Sequence, residues 1–299
     1  MADHRDRVPS PEVKCVVECA NILGEVPVWD LDEQNLYWVD IEGKKLQRLT
    51  PATGEVRIWH LPERIASFAL RERGGLVVAF ASGLAFYDLD SETIEWIARP
   101  EAHLPGNRFN EGKVDRKGRF WVGAMDDSLE NRTAGLYRLD PDLALTKIRG
   151  EIGISNCFVW SLENDRFWFA DTLLKQVYTY DYDHQRGAIS NQRLFTATTG
   201  LGYGPDGGTI DEEGYIWIAM WDGWKVSRFS PDGTLDREIH LPVARPSSCM
   251  FGGPDLSTLY VTTAVWKATP KELEVQPLAG GLFAIDAHVR GVREPRFAG

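Results

Sequence analysis

RFNEGKVDRKGRFWVGAM, residues 108–125, and GPDGGTIDEEGYIWIAM, residues 204–220, follow one plan. An oxygen-bearing side chain, Asn110 or Asp206, precedes a polar turn, DRKGR or DEEGY, and the turn opens into an aromatic strand. GEVPVWD with Glu25, ahead of LYWVD at 36–40, and ISNCFVWS with Asn156, ahead of RFWFAD at 166–171, repeat it. Between Glu25, Ser67, Asn110, Asn156, Asp206 and Ser248 the steps are 42, 43, 46, 50 and 42 residues. A period of roughly 40–50 residues with several short strands per unit marks a β-propeller blade. Six such units predict an all-β, six-bladed β-propeller with four-stranded blades.

The rest of the chain agrees. VRIWHL, GLVVAF, GLAFYDLD, TIEWIA, GLYRLD, KVSRFS, TLYVTTA and GLFAID are β-branched or aromatic runs bounded by Gly, Pro, Asp or Asn. No stretch holds a helical period over three turns, so helix content should be low. VKCVVECA at 13–20 precedes the first unit and has no partner of its own. Added to the last blade, it would seal the ring and remove exposed strand edges. The expected organisation is a flexible N-terminal arm over 1–12 and a single propeller domain over 13–299.

Bulk properties exclude several classes. A net charge of −11 argues against nucleic acid or an anionic membrane as partner. No apolar run approaches the ~20 residues of a membrane span, and the polar MADHRDRVPSPEVK is not a signal peptide. Cys15, Cys19, Cys157 and Cys249 form no CxxC pair, which suits free thiols in a reducing cytoplasm. GxSxG is absent, and the GxGxxG of residues 202–207 leads into a strand, which fails the dinucleotide-binding context. A closed ring is taken as a monomer.

In a blade the innermost strand comes first and its neighbour runs antiparallel, so the start of the first and the end of the second share a rim. That rim gathers Glu25, Asn110, Asn156 and Asp206 at the channel mouth. Asp40, Asp126, Asp171 and Asp222, which follow second strands, stand beside them or serve only as turn residues. Four in-phase carboxylate and amide oxygens, with no histidine among them, suit a hard divalent cation completed by water or substrate.

Taken together, GEVPVWD, RFNEGKVDRKGRFWVGAM, ISNCFVWS, GPDGGTIDEEGYIWIA and FGGPDLSTLYVTTA resemble the gluconolactonase/regucalcin-like, or senescence-marker-protein, family across residues 20–286. QPLAGGLFAID resembles its bacterial sugar-lactonase branch. The resemblance implies a catalytic divalent metal in the central channel with Glu25, Asn156 and Asp206 as ligands. It places Asn110 near metal and substrate, and Arg108 against substrate oxygens. Val26, Glu111 and Cys157 depart from the family's usual residues, which bears on the pocket's shape more than on its ligands. The implied activity is hydrolysis of sugar lactones to aldonic acids, with Asp206 also accepting the proton of the attacking water. Glu111 is expected to hydrogen-bond a ring hydroxyl, and Asp126 and Asp171 to touch substrate or to support the residues that do. Calcium, magnesium, manganese, zinc and ferrous iron all remain open as the metal. The competing readings are an organophosphate or fluorophosphate hydrolase and a non-catalytic calcium-binding propeller.

Overall fold

The computed structural model describes residues 11–299. Most of the expected arm, residues 1–10, lies outside them. Six four-stranded antiparallel sheets follow one another along the chain. They are β2–β5 (24–60), β6–β9 (65–98), β10–β13 (107–152), β14–β17 (155–197), β18–β21 (204–240) and β22–β24 (246–286) with β1, Val13–Val17. The innermost strands are β2 Gly24–Asp30, β6 Ile65–Leu70, β10 Asn107–Val114, β14 Ser155–Trp160, β18 Gly204–Ile210 and β22 Pro246–Gly252. The ring is a six-bladed propeller. Among the described residues helix is limited to the single-turn segment Pro270–Glu274 and a 3-10 turn at Thr172–Leu174. No helix among the described residues is long and apolar enough to cross a membrane.

The N-terminal strand closes the ring as its pattern predicts. β1 pairs antiparallel with β24, Leu282–Asp286, with Val13 opposite Ile285 and Cys15 opposite Phe283. The last blade therefore takes its outermost strand from the other end of the chain, which completes it to four strands like the other five.

The aromatic strands supply the core. Trp121, Trp168 and Trp217, from RFW, RFW and YIW, are fully buried at equivalent places in three blades, where the first blade has Tyr37; Trp38, the next residue, is buried as well. Two of these indoles are fastened by the turn before them. Asp115 Oδ2 accepts from Trp121 Nε1 at 2.8 Å, and Asp211 Oδ2 accepts from Trp217 Nε1 at 2.8 Å. The other oxygen of each carboxylate accepts backbone N–H groups inside DRKGR and DEEGY. A D-x-x-G-x-x-W segment thus folds its own turn and sets its own core residue, so both blades begin identically.

One feature of the innermost strands decides where side chains go. Each carries a register shift near its start: Glu25/Val28, Ile65/Ser67, Phe109/Gly112, Asn156/Val159, Pro205/Gly208 and Pro246/Ser248. An inserted residue bends a strand and re-aims the side chain beside it. Val26 and Cys157, just after Glu25 and Asn156, adopt φ of 48° and 55°, the left-handed region that β-branched residues in particular avoid. At the third such position Gly207 lies so close to Ser248 that an added Cβ would stand 2.2 Å from the hydroxyl oxygen. Only glycine lets those two blades meet beside Asp206.

The far mouth is crossed by the end of the chain. Gly291 bridges to Asp211 and Phe297 to Arg71. Arg293 pairs with Asp32 at 2.7 Å, Arg296 with Asp30 at 2.7 Å, and Glu294 lies 3.5 Å from Lys113 inside the channel. The tail so reaches the lower ends of several innermost strands.

Candidate metal centre

Glu25, Arg108, Asn110, Asn156 and Asp206 line one cavity of about 130 Å³ at the mouth shared by strand starts. They come from β2, β10, β14 and β18, and all five are buried, none more than 7 % exposed. The bulges explain the convergence, because Glu25, Asn110, Asn156 and Asp206 each sit at the re-aimed position of their strand, with Arg108 two residues ahead of Asn110. Each carboxylate is turned toward the N–H of the next residue. Val26 N donates to Glu25 Oε2 at 3.2 Å, and the Gly207 N–H stands in the same relation to Asp206.

The amides form a chain. Arg108 Nη1 donates to Asn110 Oδ1 at 2.9 Å and to the Phe109 carbonyl at 2.9 Å. Asn110 Nδ2 donates to Asn156 Oδ1 at 2.9 Å and to the Ser155 carbonyl at 3.0 Å. Asn156 Nδ2 donates to Thr172 Oγ1 at 2.8 Å, whose hydroxyl donates to the Pro205 carbonyl at 2.7 Å. This order fixes the amide of Asn156 with its oxygen inward, where one lone pair remains for another partner. Arg108 Nε is held by Asp127 at 2.9 Å, and Arg64 grips the same carboxylate at 2.8 Å.

Two buried carboxylates face one cavity with little positive charge between them. Burial, then Glu111, pushes Glu25 up to about 8. Burial, then Glu25 and Glu111, pushes Asp206 well above the carboxylate range. Arg108 offsets only a minor part, and burial pulls its own guanidinium below the usual value. Such a pair binds protons or a cation. Among the described residues no cluster of three His, Cys, Asp or Glu could hold a metal ion, so a cation here would need the amide oxygens as well. Two carboxylates and an inward amide oxygen, with no imidazole or thiolate, are a donor set for a hard divalent ion.

Three expected substrate contacts stand elsewhere. Glu111 lies below this floor, on a second cavity with Lys113, Ser248 and Glu294. Its carboxylate accepts the Cys157 N–H, and burial raises it to about 7. It therefore braces the left-handed residue that follows Asn156. Asp171 accepts from Gly153 N and Ile154 N, both at 3.1 Å, and Asp40 accepts from Ile22 N at 3.2 Å and Leu23 N at 2.9 Å. These N–H groups lie three and two residues ahead of Asn156 and Glu25, so each rim carboxylate anchors the strand start that presents a site residue. Asp126 gathers its own loop, accepting from Asn131 N at 2.8 Å and Asn131 Nδ2 at 2.9 Å. Ser128, followed by Asn131, lowers it to about 2. Neither Asp126 nor Asp171 lines the cavity.

Other lining residues escape a reading based on polar phase. Thr172 holds Asn156, and Leu23, Met125, Leu129, Ile154, Trp221 and Trp266 wall the cavity above. Leu23 and Ile154 are recoverable with hindsight. They stand two residues ahead of Glu25 and Asn156, as Arg108 stands ahead of Asn110, and period two puts such pairs on one face.

Comparison with known proteins agrees with this architecture. The chain is 38 % identical over 287 residues to 6-deoxy-6-sulfogluconolactonase of Pseudomonas putida, covering 96 % of this chain and 99 % of that protein. It is 37 % identical over 297 residues to regucalcin of Gallus gallus, covering 97 % and 99 %. Among solved structures, a calcium-binding regucalcin from Agrobacterium tumefaciens superposes with a TM-score of 0.92 at 27 % identity, over 97 % of both chains. The model of the SMP-30/gluconolactonase/LRE-like region matches residues 23–265, and the chain belongs to that family.

Proposed function

We propose that this protein is a hydrolase that opens sugar lactones to aldonic acids, with one divalent cation held by Glu25, Asn156 and Asp206. The observation that carries the reading is the meeting of two buried carboxylates and a fixed amide oxygen, from three separate blades, in one cavity beside a buried arginine. Membership of a family with lactonases among its relatives supports the reaction class. Calcium, magnesium, manganese, zinc and ferrous iron all accept such donors. The four unpaired cysteines suit a reducing compartment such as the cytoplasm.

When bound, the cation would polarise the lactone carbonyl and make water a better nucleophile. The chain's own groups do the rest. Asp206 takes the proton of the water whose oxygen bonds to the carbonyl carbon. It returns that proton to the ring oxygen as the C–O bond breaks, leaving an open hydroxy acid. General-base assistance of this kind contributes about 10²–10⁴-fold. None of the hydrogen bonds Arg108 makes among the described residues uses Nη2, which is thus available to the carbonyl or a neighbouring hydroxyl oxygen. Asn110 holds both Arg108 and Asn156 in place, and Glu111 and Asp171 hold the backbone around Asn156.

Metal-stripped protein, reconstituted ion by ion and assayed on pentono- and hexonolactones beside an organophosphate, tests this. Lactone hydrolysis restored by a divalent ion and absent in Asp206→Ala is the expected result. Phosphotriester hydrolysis without lactone hydrolysis, or tight cation binding with neither activity, would refute it. Three protein donors leave most of a six- to eight-ligand shell open, which favours catalysis over a purely structural ion.

A further inference from the structure

The cavity divides sharply into a polar floor and an apolar wall. Leu23, Met125, Leu129, Ile154, Trp221 and Trp266 form that wall. Trp221 ends the strand Ile216–Trp221 and Trp266 follows the strand Thr258–Thr263, and their rings meet edge to face at 6.2 Å and 69°. Apart from the two indole N–H groups, these side chains offer no hydrogen bond.

The polar groups below are largely committed to one another. Asn110, the Asn156 amide N–H and the Thr172 hydroxyl all serve within the floor. What remains for a ligand is the carboxylate oxygens, one lone pair of Asn156 Oδ1 and Arg108 Nη2, all at one end. Three further cations stand near the mouth, and none of them lines the cavity. Arg245 pairs with Asp222 at 2.7 Å, Arg132 lies 3.6 Å from Asp171, and the Lys267 ammonium sits 4.2 Å from the Trp266 ring centroid. A hydroxyl or an anion carried against the wall would lose water and find at most an indole N–H among the lining side chains. A C–H face would pack on leucine, isoleucine and indole, as ligands do in largely apolar pockets with few polar fixings.

We propose that this site selects lactones whose end remote from the carbonyl presents a C–H surface, as in deoxy or alkyl-substituted sugar lactones, over those carrying a hydroxyl, carboxylate, sulfonate or phosphate there. The proposal rests on the lactone-hydrolase reading and deepens it. Trp221 and Trp266 are the specificity-determining residues, and the polar floor handles the reacting ester alike in every case.

The test uses six-carbon lactones identical except at C6, which is methyl, hydroxymethyl, carboxylate or sulfonate, with kcat/KM measured for metal-loaded enzyme. One apolar group in a pocket discriminates by about 10–200-fold. The methyl lactone should therefore exceed the hydroxymethyl one by about tenfold and the anions by more than ~100-fold. Trp266→Ala should lower the methyl lactone's value and bring it within about threefold of the hydroxymethyl one, while Trp266→Phe retains the preference. Cation affinity by calorimetry should not change in either variant. A sulfonate or carboxylate lactone as best substrate, a flat profile in the wild type, or equal slowing of all lactones by Trp266→Ala would overturn the proposal. If Trp266→Ala fails to fold, the wild-type profile and Trp266→Phe still decide it. Absence of turnover on every lactone would overturn the hydrolase reading and this proposal with it, whereas turnover without the profile overturns the preference alone.

Discussion

Removing the cation should make the fold's stability fall as pH rises, opposite to the usual behaviour of carboxylates held in ion pairs. The perturbation is chelation, and the structure supplies the sign. Glu25 rises from 4.5 to about 8 on folding, chiefly through burial, and Asp206 shifts in the same direction beside it. Both groups bind protons more tightly folded than unfolded. Their contribution is complete below the unfolded value and is lost as pH rises through the folded one. For Glu25 alone the shift corresponds to a ceiling of roughly 5 kcal/mol at about 1.4 kcal/mol per unit. Water drawn in with the charge reduces this, and about 3 kcal/mol is the working magnitude. At roughly 2 °C per kcal/mol for a chain of this size, chelated protein should melt about 6 °C lower at pH 9 than at pH 5. Melting of the chelated wild type against a Glu25→Gln, Asp206→Asn double variant cancels the titration of other groups. The difference should open between pH 5 and 9, with the variant the more stable at the upper end. A saturating divalent ion should reverse the trend, because the deprotonated pair binds it best. A gap that stays constant, or a chelated wild type that gains stability relative to the variant with pH, would refute the reasoning.

Further outcomes follow from individual contacts. Asp206→Ala should abolish lactone hydrolysis by ~10³-fold or more, with an unchanged circular dichroism spectrum. Arg108→Ala should raise KM chiefly, and calorimetry should still detect cation binding. Asp171→Ala strips two backbone N–H groups of their acceptor and should cost about 2–3 kcal/mol in chemical denaturation, with weaker cation binding at Asn156. A rise in KM with stability intact would instead make Asp171 a substrate contact. Cys157→Val puts a β-branched residue at φ 55° and should melt below Cys157→Gly by more than about 1 kcal/mol, which thermal denaturation of the pair checks.

Much of the architecture was legible because it is local chemistry repeated. DRKGRFW and DEEGYIW carry their turn and their core tryptophan in seven residues, and the 42- to 50-residue steps count the blades. The closing strand at 13–17 was readable as an apolar run without a neighbour. Glu25, Arg108, Asn110, Asn156 and Asp206, selected by phase and by resemblance, line the same cavity. Asp126, Asp171 and Glu111 show where phase stops informing. Each is acidic and close to the mouth in sequence register, yet each carboxylate is turned onto backbone N–H groups.

Strand period, turn type and repeat length are properties of short windows, so the chain alone determined a ring of six four-stranded blades and the set of polar residues near its axis. Which of those residues share a cavity depends on bulges that rotate side chains and on the closeness of blades tens of residues apart. The same holds for the apolar wall, assembled from Leu23, Met125, Ile154, Trp221 and Trp266 on several blades. A carboxylate's role is set by the donor it meets, and for Asp171 that donor is the backbone just ahead of its own blade's inner strand, while for Glu111 it lies on the next blade. Only tertiary packing brings those groups together, because burial and partner geometry are properties of the closed ring.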